Sequence, residues 1–102
     1  MSYSTVSIST SIDLDDQQFF GYNYIIANCN NNDVEIELPQ QTWDGQTIQI
    51  IRSDSNTNYD LIISAKSGQT INGVADTTLA INQLAEIVSY ANNWICPKLT
   101  YN

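Results

Sequence analysis

The sequence predicts an all-β domain of about eight short strands, arranged as a β-sandwich or in a jelly-roll-like way. Two observations carry this. Apolar residues recur with a period of two in several segments. Turn-forming residues punctuate the chain between those segments, at the spacing expected of a sandwich or barrel.

The first segment runs through Val6, Ile8, Thr10, Ile12 and Leu14, all of one parity, with Ser or Asp at most positions between. Residues 1–18 are expected to form an N-terminal arm or a first strand, and residues 19–102 a single all-β domain. An extended arm of this kind can pair with a neighbouring subunit. Tyr22, Tyr24 and Ile26 repeat the alternation. Val34, Ile36 and Leu38 repeat it again, with Asp33, Glu35 and Glu37 on the other face. That acidic face is expected to discourage edge-to-edge pairing. Pro39 ends the segment, because it has no N–H to give to a ladder.

Asp44-Gly45 then supplies a turn that tolerates positive φ. Gln46 to Arg52 reads as the next strand, with Ile48, Ile50 and Ile51 apolar. Ser53 to Asn58 is a polar loop, and Asp60 to Ala65 a strand. Ser67-Gly68 and Asn72-Gly73 mark turns around Ile71. Asp76 to Ile81 and Glu86 to Tyr90 follow as strands. Leu84, Ile87, Val88 and Ala91 also sit at helical spacing. The β-branched Ile87 and Val88 with Tyr90 favour the strand. Asn92-Asn93 is expected to turn the chain into a last strand, Trp94 to Cys96, which Pro97 stops.

Composition narrows the function. The chain has 102 residues and a formal net charge of -8, with Arg52, Lys66 and Lys98 as its cations. Nucleic-acid binding needs clustered Lys and Arg against phosphates, so it is not expected. Docking on an anionic membrane surface is disfavoured for the same reason. No apolar stretch is long enough for a helical membrane span. Met1 to Leu14 has neither the basic start nor the apolar run of a secretory signal.

Candidate chemistry is sparse. The chain has no His, which removes Ser-His-Asp and Cys-His arrangements. Ser64 and Lys66 would share one face of a strand, as a Ser-Lys pair requires, but such neighbours are common by chance. The carboxylates Asp13, Asp15 and Asp16, and Asp33, Glu35 and Glu37, invite comparison with a glycosidase pair. A solvated face explains them more simply. Asp54, Asn56, Asn58 and Asp60 match the start of a calcium loop, but Tyr59 stands where such a loop needs Gly and Ala65 where it needs Glu. Cys29 and Cys96 read as small buried side chains, with one disulfide open to them if their strands lie together. Gly21, Gly45, Gly68 and Gly73 are isolated and make no phosphate loop. Trp43, Tyr90 and Trp94 could stack on a sugar, or pack at the ends of the core or in a subunit interface. The reading is therefore of a non-enzyme, with no catalytic, cofactor-binding or metal-binding residue assigned.

Two stretches are in a familiar order: YNYIIANCNNNDVEIELPQQTWDGQTIQIIRSD and DLIISAKSGQTINGVADTTLAINQLAEIVSYANNWIC. Leu38-Pro39 ends a strand. Gly45 turns into the Ile48, Ile50 and Arg52 strand. Ile71, Asn72 and Gly73 make a step, and Glu86, Val88 and Tyr90 lead through Asn92 and Asn93 to Trp94. Across residues 21–97 this resembles a β-rich domain recurrent in phage tail fibres and in surface or capsid-associated proteins of large DNA viruses. Gln40, Gln41, Thr42 and Trp43 depart from it, replacing a run of small residues. The resemblance implies a homotrimer on a virion, acting in structure or host attachment, without shared catalytic residues or cofactor. Its expected partners are its own copies, other virion proteins such as a major capsid protein, and cell-surface glycan. A carbohydrate-binding module of a viral or bacterial surface protein is the alternative.

Overall fold

The computed structural model describes residues 4–19, 21–40 and 44–100. Its strands in chain order are β1 (Thr5–Ile8), β2 (Ile12–Asp13), β3 (Tyr24–Ala27), β4 (Val34–Glu37), β5 (Thr47–Arg52), β6 (Leu61–Ser64), β7 (Asp76–Leu79), β8 (Gln83–Tyr90), β9 (Asn93–Ile95) and β10 (Lys98–Thr100). The helical content of the described residues is one 3-10 turn at Gln17–Phe19. The fold is all-β, in two sheets. Sheet A runs β1-β3-β5-β8-β10, with β9 also on β8, and sheet B runs β2-β4-β6-β7.

The chain alternates between the sheets from β1 to β6. Within each sheet the successive strands pair in parallel: β1 with β3 and β3 with β5, then β2 with β4 and β4 with β6. Parallel neighbours need a long return path, commonly a helix. Here the return is a strand of the opposite sheet. The result is a stack of three flattened coils, each giving one strand to each layer, as in a short solenoid. Antiparallel strands then close the end of the stack, β7 on β6 and β8 on β5.

Stacked coils put like residues in register. Val6, Ile25, Ile50 and Ala85 form one inward row of sheet A. Ile12, Ile36 and Ile63 face them from sheet B, beside Val34, Leu61 and Leu79. Ile25, Ile36, Ile50, Ile63, Val34, Leu61 and Leu79 are fully buried. Each such side chain contributes roughly 1.5–3 kcal/mol by leaving water, so these rows hold the two sheets together.

Several local expectations change. The buried parity of β3 is Ile25 and Ala27, continuing to Cys29, whereas Tyr22, Tyr24 and Ile26 face outward or remain partly exposed. Both faces of that strand are apolar, so alternation alone pointed to the wrong one. The acidic strand β4 is not an edge: it has β2 on one side and β6 on the other. Its carboxylates therefore stack against neighbours within the sheet. Asn82 to Ala91 is strand over most of its length, with Ala85, Ile87 and Ser89 turned inward. The following two-residue turn is Ala91-Asn92, with φ of 53° and 64°, one residue earlier than Asn92-Asn93. Positive φ at both positions is the type I′ hairpin requirement. Asn72-Gly73 meets it too, at 51° and 89°, between the bridged Ile71 and Val74. The alternation from Val6 to Leu14 is split between β1 and β2, which lie in different sheets.

Candidate functional site

Three places concentrate chemistry or unpaired surface. The first is internal. The inward parity of β5 continues from Ile48 and Ile50 to Arg52 and then Asp54, and all four are buried. Arg52 Nε donates to Asp54 Oδ2 at 3.1 Å, and Nη2 to Oδ1 at 3.2 Å. Nη2 also donates to the carbonyls of Asn56 and Tyr59, and Nη1 to that of Leu79. Asp54 accepts the backbone N–H of Cys29 at 2.7 Å and of Asn56 at 2.9 Å. Burial pushes the Asp54 carboxyl up. The Arg52 guanidinium and the two N–H groups outweigh this and hold it below the usual carboxylate range. The guanidinium thus acts as the hub around which residues 53–60 fold.

This arrangement uses the oxygens that sequence pattern aligned with a calcium loop. Asp54 is turned inward onto Arg52, while Asn56 Oδ1 accepts from the Asn58 N–H. No group of metal-ligating side chains of three or more assembles among the described residues. The signal for the hub was the period-two run ending in Arg52-x-Asp54.

The second place is the outer face of sheet B. Parallel register aligns Asp13 with Glu37 and with Ser64 across three strands. Asp13, Glu35 and Glu37 line an open groove with Ser11 and Ile12. Lys66 bridges two of these carboxylates. Its Nζ lies 2.7 Å from Asp13 Oδ2, 3.0 Å from Glu37 Oε1 and 3.7 Å from Asp15 Oδ2. The Lys66 hydrogen bond, helped by the Asp15 N–H, lowers the Asp13 pKa. Desolvation of Lys66 opposes its charge, but Asp13 and Glu37 prevail and raise its pKa. It stands there as a cation. Ser64 Oγ donates to Glu35 Oε2 at 2.8 Å, so Ser64 and Lys66 serve different partners. Asp33 is engaged as well, accepting the Asp60 N–H at 2.9 Å. Asp16 lies apart, capping the 3-10 turn through the Gln18 N–H. The sequence pattern did not show that Asp13 and Asp15 would meet Glu37, because coil stacking brings them together.

The third place is the outer face of sheet A. One cross-strand row is Ser7, Ile26, Ile51, Leu84 and Leu99. A second is Thr5, Tyr24, Gln49 and Glu86, in which Gln49 Nε2 donates to Glu86 Oε2 at 3.1 Å. A third is Thr47, Val88 and Ile95. Tyr90, Ile95 and Leu99 are 61%, 50% and 55% exposed. The second row lies between the other two, so polar Gln49 and Glu86 separate Ile51 and Leu84 from Val88 and Ile95. In these rows Glu86 is the one charged residue.

The remaining candidates fall elsewhere. Trp94 is 1% exposed and packs in the core, so it offers no platform to a sugar, while Tyr90 lies open at the hairpin. Trp43 lies outside the described residues, as do Gln41 and Thr42 of the departing loop. Cys29 and Cys96 are buried free thiols, each raised in pKa by desolvation. Gly21, Gly45, Gly68 and Gly73 sit at separate turns. No protein-family model matches the chain, and a search of curated proteins finds no match to it.

Proposed function

We propose that the chain is a virion structural module: a homotrimeric capsid-surface cap or fibre-head domain that works by assembly. Its loops are left free for receptor contact, and its partners are its own copies and other virion proteins such as a major capsid protein. The supporting observation is the inequality of the two outer faces. Sheet B presents Asp13, Glu35, Glu37 and Asp76 around the cation Lys66, whereas sheet A presents the exposed Ile95 and Leu99 beside the half-buried Ile26, Ile51, Leu84 and Val88. A face of the second kind gains by burial against another protein. Particles purified from the source virus should contain the chain, and antibody against it should label their surface. Its absence from purified particles would overturn the proposal.

The exposure of Tyr90 favours a second reading, binding of a cell-surface glycan. A glycan array decides it. Binding that Tyr90→Ala abolishes supports a carbohydrate site, and an array without signal removes it.

A further inference from the structure

We infer that Asn72 is a modification site of this chain: its carboxamide latches the 71–74 hairpin to Cys96, and it is converted to a carboxylate only when that latch opens.

The sequence carries Asn-Gly once, at Asn72-Gly73. Asn is a thermolabile residue. A following glycine, with no Cβ, leaves its nitrogen unhindered. That nitrogen can attack the side-chain carbonyl carbon. The Gly73 N–Cγ bond forms, the Cγ–Nδ2 bond breaks, and the amide leaves as ammonia with the Gly73 proton. Water then opens the succinimide ring at either carbonyl. The product is Asp, or an isoaspartate whose main chain runs through the side chain. Asn72 and Gly73 are exposed, so water reaches both.

The closed hairpin opposes the attack. Asn72 Nδ2 donates to the Cys96 carbonyl at 2.9 Å, and Oδ1 accepts the Cys96 N–H at 2.9 Å. The carboxamide thus pairs with the chain leaving β9 as a further peptide unit would. Main-chain bonds flank it: the Asn72 N–H donates to the Trp94 carbonyl, and the Trp94 N–H to that of Thr70. Ring closure needs the carboxamide to swing back over the Gly73 nitrogen and give up both bonds to Cys96. At the other Asx-Gly step, Asp44-Gly45, the nitrogen is itself engaged, donating to the Ser89 carbonyl.

Conversion keeps the latch open. A carboxylate sets an oxygen where Nδ2 stood, so two acceptors face each other at the Cys96 carbonyl. An isoaspartate adds a main-chain carbon to a two-residue turn, which such a turn does not accommodate. The modified chain therefore records that the hairpin has opened.

Two rates on the wild-type chain test this. Peptide mapping follows Asn72 in mildly alkaline buffer, with and without urea. Hydrogen exchange follows the Cys96 N–H, which Asn72 Oδ1 holds. Both need the same opening, so the slowing of deamidation in the folded chain should equal the protection factor of that N–H. Asn72→Asp and Asn72→Gly should each lower the melting temperature and the Cys96 protection, although Gly suits the φ of 51° at position 72. Deamidation as fast folded as in urea, with the Cys96 N–H protected, overturns the latch. So does an Asn72→Gly variant with unchanged Cys96 protection. An Asn72 that stays intact in urea overturns the modification site.

Discussion

Arg52 and Asp54 form a bidentate ion pair inside the protein, with side chains 5% and 0% exposed. Removing one partner of such a pair leaves a buried charge uncompensated, which costs about 3–5 kcal/mol. Asp54→Asn should therefore lower the urea midpoint sharply, whereas joint replacement of both residues by apolar ones of similar volume should cost much less. The pH dependence has a definite sign. The folded pKa of Asp54 is depressed. Its contribution is fully present above the unfolded carboxylate value of about 3.9 and is lost as pH falls from there through the folded pKa. Thermal melts should show the gap between wild type and Asp54→Asn narrowing below about pH 4.

Ala91 holds φ of 53° in a position that glycine occupies without strain. Left-handed backbone costs a residue with a Cβ about 1–2 kcal/mol. Ala91→Gly should raise the melting temperature, a gain of about 1 kcal/mol. Asn92→Gly should do less, because Asn tolerates this region. No change at Ala91→Gly would contradict the type I′ turn.

Lys66 bridges Asp13 and Glu37 from neighbouring coils, with Asp15 close by. These groups are partly exposed, so the pairs are worth at most about 1 kcal/mol. Lys66→Met leaves three carboxylates facing one another. Its destabilisation in urea titrations should be clear at low salt and shrink at about 1 M salt, where the screening length is near 3 Å.

Glu86 is the charged group within the outer rows of sheet A. Glu86→Gln removes that charge and keeps an amide able to pair with Gln49. The trimer should then dissociate at a lower protein concentration in sedimentation equilibrium. An unchanged dissociation concentration would place Glu86 outside the interface.

Much of the secondary structure was legible in the chain. Val34, Ile36 and Leu38 alternate with acidic residues, and all three are fully buried. Asn72-Gly73 has the turn chemistry that its φ angles use. The β-branched Ile87 and Val88 resolved a helix-like spacing into β8. The choice of face at β3 was hidden, because Tyr24 and Ile26 are as apolar as Ile25 and Ala27. Pairing direction was hidden too, since local alternation is the same in parallel and antiparallel strands. That is why the meeting of Asp13, Glu37 and Lys66 across coils was not foreseen. Arg52 was visible as a residue after an I-x-I strand, but its burial followed only from continuing the parity of Ile48 and Ile50.

The central claim is assembly through one apolar face. Size-exclusion chromatography with light scattering at micromolar concentration tests it most directly. The wild-type chain of 11.4 kDa should elute with three times that mass, and a Leu84→Asp variant should elute with the mass of one chain. A stable wild-type monomer would contradict the account.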